Sequence, residues 1–287
     1  MSRDIRRVGV LGCGLMGAGI AEVCARAGVD VVVVESDDDA LVRGRRRLTG
    51  SLDRAVVARK LSEADRKSAL GRLSFVTDLE AFADRQLIVE AVPEVMDIKL
   101  DAFRAIARIV KDPNAILASN TSSIPIVRLA AVTDKPEQVL GLHFFNPVPV
   151  LRLVEVVSSL LTSSTTLARA QSFAGDVLGK RVIRSQDRAG FIVNALLVPY
   201  MLSAIRMLES GFATAEDIDT GMVEGCAHPM GPLRLTDLIG LDTTLHVANS
   251  LYDEFKEPLH APPPLLLRMV EAGLLGRKSG RGFFEYS

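Results

Sequence analysis

His143 and Glu155 are the two side chains of this chain whose types and spacing best suit proton transfer. The run from Gly141 to Glu155, GLHFFNPVPVLRLVE, holds a titratable base between two apolar stretches and ends on a carboxylate. A strand, a Pro-rich bend and a second strand would fold Glu155 back beside the imidazole. A carboxylate in that place fixes the ring's tautomer and stabilises the imidazolium formed when the ring takes a proton, which makes a general base near neutral pH. A histidine among apolar residues also reads as a satisfied core side chain. The surrounding residues have to decide between the two readings.

A second chemical pattern stands at the N-terminus, where VGVLGCGLMGAGIAEVCARAGVDVVVVE reads as strand, Gly-rich turn, helix of small residues and second strand. Gly12, Gly14 and Gly17 make G-x-G-x-x-G, which allows a tight turn, approach of a pyrophosphate to bare backbone, and close helix–strand packing. Glu35 closes the second strand 18 residues after Gly17, near the ~20 at which an acidic side chain meets an adenosine ribose. A carboxylate there repels a 2′-phosphate, so NAD is expected rather than NADP, although Arg43 and the arginines after it leave NADP open.

The elements that would position these groups follow in order. Residues 37–70 read as two helices, the first running through LVRGRRRLTGSLDRAVVARK with Leu41, Leu48, Leu52 and Val56 near helical spacing and arginines on its other faces. That basic face is either simply solvated or a receiver for a second polyphosphate. Strands are expected at 73–76, 87–92, 115–118 and 139–144 with helices between most of them, predicting a doubly wound, mostly parallel Rossmann-type α/β sheet with ligands at the strands' carboxyl ends. Two of those ends are polar: EAVPE at 90–94, and SNTSS at 119–123, which could cap a helix, contact a substrate, or both. A helix from about Thr165 and a strand at 181–184 complete the first domain, residues 1–186. Residues 187–287 show helix signals only and predict an all-α C-terminal domain. Its first helix, FIVNALLVPYMLSAIRMLESG, is apolar on nearly every face, which suits burial in a subunit interface. Asn194 interrupts that face and needs either a backbone carbonyl or a ligand.

Composition excludes some classes. With 34 Lys+Arg against 35 Asp+Glu, no global field recruits nucleic acid or an anionic membrane. Cys13, Cys24 and Cys226 lack any CxxC or Cys/His ligand spacing, predicting a reducing compartment and no metal site. MSRDIRR passes straight into an apolar strand and no apolar run approaches ~20 residues, so neither leader nor membrane span is expected and the location is read as cytoplasmic.

Taken together, GCGLMG, EAVPE, ASNTSS, GLHFFNPVPVLRLVEV, GFIVNALLVPY, AEDID, HPMGPLRLTDLIGLDTT and GRKSGRGFFEY resemble, over essentially the whole chain, the short-chain L-3-hydroxyacyl-CoA dehydrogenases, including the bacterial 3-hydroxybutyryl-CoA dehydrogenases. The resemblance implies a dinucleotide-binding domain followed by a helical domain that makes a homodimer, and an acyl-CoA substrate oxidised with NAD. By the same resemblance His143 is the general base on the 3-hydroxyl and Glu155 its orienting partner. Ser122 would hydrogen-bond the reacting oxygen, and Asn194 would position the thioester. Implied cofactor contacts are Gly12, Cys13, Gly14, Leu15, Met16 and Gly17, with Glu35, Glu94, Lys99, Asn146 and Lys278; Glu35 stands where the family usually has aspartate. Implied coenzyme A contacts are Ser51, Arg59 and Lys60. Rival expectations are a dehydrogenase of a free hydroxy acid or sugar acid, against which the arginine-rich helix argues, and a non-catalytic dinucleotide-binding relative, against which the intact Ser122, His143, Glu155 and Asn194 argue. Acyl chain length and pathway direction stay open.

Overall fold

The computed structural model describes residues 5–286. One compact unit closes at Asp187 and a second opens at Arg188. In the first, β1 (Arg7–Leu11), α1 (Leu15–Arg26) and β2 (Asp30–Val34) form the βαβ unit expected around the glycines. The chain continues through α2 (Asp38–Val57), α3 (Glu63–Leu70), β3 (Leu73–Val76), β4 (Leu87–Glu90), α4 (Met96–Ile109), β5 (Ile116–Ser119) and α5 (Ile126–Ala130). It ends with β6 (Val139–Phe144), β7 (Leu153–Ser158), α6 (Ser164–Ser172) and β8 (Arg181–Gln186).

The eight strands lie in the order β3-β2-β1-β4-β5-β6-β7-β8. All neighbours pair parallel except β6 and β7, which run antiparallel. The order turns back between β1 and β4, the kind of switch point at whose carboxyl side a crevice opens for ligands. Every residue of β4, β5 and β6 is buried, as parallel strands covered on both faces require. Val8, Val10, Ile20, Val31, Val33, Leu87, Ile116 and Leu142 belong to one continuous core.

Several boundaries differ from the sequence reading by a few residues: β5 is shifted by one, β8 runs on to Gln186 and the first unit closes at Asp187, while two further differences have a local reason. β4 stops at Glu90 rather than residue 92, because the Glu90 carboxylate accepts from Val92 N at 2.7 Å and draws the chain out of the ladder. α2 stops at Val57, and Arg59 takes a left-handed backbone (φ 54°), so Arg59 and Lys60 stand on the turn after the helix and not on it.

The second unit carries α7 (Val193–Glu209), α8 (Ala215–Cys226), α9 (Pro232–Ile239), α10 (Leu241–Phe255) and α11 (Pro264–Glu271). Met201, Leu202, Ile205, Leu233, Leu241, Leu251 and Leu266 fill its core. Two buried aspartates tie it together: Asp219 accepts from Leu233 N and Arg234 N at the start of α9, and Asp237 accepts from Phe283 N, Phe284 N and the Tyr286 hydroxyl. Gly240, at φ 104°, separates α9 from α10. The tail departs from helix, with isolated bridges pairing Gly276 to Arg281 and Arg281 to Glu285. Among the described residues no helix is long and apolar enough to cross a membrane.

Candidate active site

The antiparallel pairing of β6 with β7 sets His143 directly opposite Glu155. His143 is 4 % exposed and Glu155 fully buried, and Nδ1 of the ring lies 2.6 Å from Glu155 Oε2. A carboxylate can only accept here, so Nδ1 carries the proton and Nε2 is left as an acceptor. Ser122 Oγ stands 3.0 Å from that nitrogen, its hydroxyl able to donate to it. The three side chains form one relay, Ser122–His143–Glu155, with Phe145 tilted at 59° against the imidazole. A hydroxyl, a basic nitrogen and a buried carboxylate in line are what proton removal from a substrate hydroxyl needs.

Ser122 is held by a second buried group of charges. Glu90, at the end of β4, accepts from Lys99 Nζ at 2.6 Å and from the Ser119 hydroxyl at 2.6 Å. Lys99 also reaches Glu94 at 3.2 Å. Glu94 in turn accepts from Thr121 Oγ1, from Ser122 N at 3.0 Å and from Ser123 Oγ at 3.0 Å. Burial pushes the Glu94 carboxyl up, but the Lys99 ammonium and the hydrogen bonds from Thr121 and Ser122 outweigh it and hold it below its ordinary value. Lys99, implied as a cofactor contact, is 1 % exposed and engaged by both carboxylates. As placed, it acts on a ligand only through Glu94. Asn120 Oδ1 accepts from Phe144 N at 2.9 Å and ties the end of β5 to the end of β6.

After β1, the glycine loop makes a cradle of bare backbone. Gly12 sits at φ 87°, and a Cβ there would meet Ala91 O at 2.8 Å. A Cβ at Gly17 would fall 1.8 Å from Gly12 O, so helix and loop close on each other only with glycine. At Gly14 nothing lies within 4 Å of a would-be Cβ, and no side chain caps α1. The first-turn N–H groups therefore face a place that an anion's oxygens can occupy, which fits a dinucleotide pyrophosphate. Leu15 is exposed and Met16 half-buried beside it. Glu35 accepts from Cys13 N and from Ser36 N, which brings the expected ribose reader onto the loop itself. Arg47 also reaches the loop, Nη1 donating to Cys13 O at 2.9 Å, and Gly44 packs on the Cys13 side chain. Burial, with Glu35 beside it, pushes the Cys13 thiol up to about 12, against a smaller downward pull from Arg47.

On α2 the split of faces is met in part: Leu48 and Leu52 are buried together with Gly44, Leu41 and Val56 are half-buried, and Arg43, Arg45, Arg46 and Arg54 are exposed. Ser51 is half-buried and shares a small cavity with Asn146, which precedes a cis Pro147 in the hairpin loop. Arg59 and Lys60 are exposed. Lys180 pins that loop, its ammonium donating to Val148 O at 2.5 Å and Leu151 O at 2.7 Å. Asn194 and Lys278 belong to the second unit, Asn194 half-buried in the first turn of α7 and Lys278 paired to Asp242 at 2.5 Å. The contributions of Arg47, Lys180 and Asp187, which accepts from Ile126 N and Val127 N at the start of α5, had no signal in the sequence. Each is a contact between residues 29 or more positions apart.

Comparison with known proteins finds relatives over both units. Residues 7–188 match the family model described as 3-hydroxyacyl-CoA dehydrogenase, NAD binding domain, and residues 190–286 match the model of that family's C-terminal domain. A 3-hydroxybutyryl-CoA dehydrogenase of Mycobacterium tuberculosis is 60 % identical over 286 residues, covering 100 % of both chains. The human mitochondrial hydroxyacyl-coenzyme A dehydrogenase is 39 % identical, covering 98 % of this chain and 91 % of its own. The crystal structure of a Ralstonia eutropha (S)-3-hydroxybutyryl-CoA dehydrogenase superposes with a TM-score of 0.94 at 46 % identity, covering 99 % of this chain and 100 % of that one. With a glycine cradle built for a dinucleotide, a buried Ser–His–Glu relay and these relatives matching from end to end, the chain belongs to the NAD-binding 3-hydroxyacyl-CoA dehydrogenase family.

Proposed function

We propose that the protein oxidises (S)-3-hydroxyacyl-CoA reversibly to 3-oxoacyl-CoA with NAD, and that 3-hydroxybutyryl-CoA is its substrate. The observation that carries the reading is the line Ser122–His143–Glu155, with Nε2 of the ring turned away from the carboxylate. In the oxidative direction His143 Nε2 takes the proton of the 3-hydroxyl. Ser122 turns its hydroxyl from the ring to the reacting oxygen and orients it. Glu155 holds the Nδ1 proton and offsets the positive charge that the imidazole gains. When bound, the nicotinamide supplies the acceptor for the hydride that leaves the 3-carbon.

The loop residues Gly12 to Gly17 hold the pyrophosphate on backbone, and Glu35 accepts from the adenosine ribose. Glu94, Asn146 and Lys278 complete the cofactor's surroundings, with Lys99 behind Glu94. Asn194 donates to the thioester carbonyl, and Ser51, Arg59 and Lys60 take the coenzyme A end. A homodimer through the helical unit is proposed from Leu196 (73 % exposed) and Phe212 (78 % exposed), apolar surface that a partner would cover. Three free thiols support a cytoplasmic location.

Steady-state turnover tests the reading. Acetoacetyl-CoA should be reduced with NADH at a kcat/KM far above that with NADPH, and free acetoacetate should not be reduced. Equal kcat/KM with NADPH would remove Glu35 from the ribose, and turnover of the free acid would remove the acyl-CoA assignment.

A further inference from the structure

Glu22 is a buried charged residue that the chemistry above leaves unused. It lies on α1 with 1 % exposure. Its Oε1 accepts from Arg26 Nη1 at 3.2 Å, one turn further on, and its Oε2 has no hydrogen-bond partner. A carboxylate oxygen taken out of water without a donor is strongly unfavourable, so the site is made to receive one.

Glu22 lines a cavity of about 100 Å³ together with Arg47, Ser51 and Arg54 from α2 and Asn146 and Pro147 from the loop between β6 and β7. Arg47 already donates to Cys13 O. α1 and the hairpin loop approach closely at this level, since a Cβ on Gly19 would lie 2.8 Å from Val148 Cβ. The cavity thus offers an acceptor carboxylate, with donor guanidinium groups and a hydroxyl around it. A phosphate would match the donors and be repelled by Glu22. An amide, with N–H and C=O side by side, matches both. The arm of an acyl-CoA between its thioester and its phosphates carries two such amides.

We propose that Glu22 accepts a hydrogen bond from a pantetheine amide N–H of the substrate, and so is a specificity residue for thioesters that carry this arm. The assignment rests on the acyl-CoA reading above. It is tested with three acetoacetyl thioesters of decreasing handle, those of coenzyme A, of pantetheine and of methanethiol, on the wild type, Glu22→Leu and Glu22→Gln.

Glu22→Leu should raise KM about tenfold for the coenzyme A and pantetheine thioesters, the loss expected when one hydrogen bond to a charged group disappears, with kcat little changed. Glu22→Gln, which keeps an acceptor oxygen without the charge, should give a smaller rise of roughly threefold for the same two substrates. Neither variant should change kcat/KM for the methyl thioester, which has no amide, and that constancy also reports an intact fold. Should Glu22→Leu fail to fold, Glu22→Gln carries the same comparison. A loss shared by all three thioesters would make Glu22 a packing residue. No loss with any of them would leave the cavity to water, and either result overturns the assignment. Wild-type turnover with indifferent variants sinks this assignment alone, whereas wild-type silence toward every thioester sinks the acyl-CoA reading and this one with it.

Discussion

A glutamine in place of Glu155 could still accept a hydrogen bond from Nδ1–H of His143, as Glu155 does at 2.6 Å; what it lacks is charge. Glu155→Gln should therefore keep the ring in place and lower kcat strongly, while His143→Gln removes the base itself and should lower kcat by ~10²–10⁴-fold. Neither residue touches the glycine cradle, so titration of NADH fluorescence should give nearly wild-type affinity for both. Full activity of Glu155→Gln across the pH range would reduce that carboxylate to a structural part of β7. Glu94 makes a separate prediction. Its folded pKa lies below the ordinary value of 4.5, so its pairing with Lys99, Thr121 and Ser122 stabilises the fold fully above pH 4.5 and the contribution is lost as pH falls through the folded value. The difference in melting temperature between wild type and Glu94→Gln should shrink on acidification from pH 4.5 downward; a constant difference would show that charge is not what Glu94 contributes. The pair His143–Glu155 was legible because an apolar run, prolines and a second apolar run announce a hairpin. Nothing local marks Lys99 as a buried cation between two carboxylates, since that placement exists only once α4 has packed on the sheet.

At the scale of the element, the glycines separate two effects that one motif merges. Alanine normally favours a helix over glycine by ~1 kcal/mol. At Gly17 that gain is overrun, because the new methyl group would sit 1.8 Å from Gly12 O. Gly17→Ala should lower both the melting temperature and NADH affinity. At Gly14, where nothing lies within 4 Å, alanine should leave the melting temperature unchanged and raise Kd for NADH by occupying the place of the pyrophosphate. Equal thermal loss in the two variants would contradict this division of labour. Strands β3 and β6 were readable to the residue because their ends coincide with polar or turn residues. The end of α2 is less readable: its arginines and lysine are good helix formers, and the left-handed turn at Arg59 has no glycine to advertise it. A continuous apolar pattern likewise hides the break at Gly240, which only the backbone geometry separates into α9 and α10.

For the whole molecule, fold class was readable because alternation of strand and helix ends so abruptly after β8, and a chain of helices cannot join a parallel sheet. Surface is harder to read, since an apolar helix looks the same whether its neighbours are its own chain or another. Sedimentation should give twice the chain mass of 31.0 kDa. Leu196→Asp with Phe212→Asp should give the single mass without unfolding the protein. A wild type that sediments as one chain would make these side chains ordinary exposed apolar residues.

The reversal between β6 and β7 carries one more consequence. The ladder pairs Leu142–Val156 and Phe144–Val154 on either side hold the imidazole and its carboxylate opposite each other. A slip of one position would set His143 against an aliphatic side chain and strand the imidazole and the carboxylate unpartnered in the core, so only one alignment of the two strands is both foldable and competent. Recovery of turnover after dilution from denaturant needs this hairpin in its proper alignment as well as the helices, and should lag behind the return of helical circular dichroism.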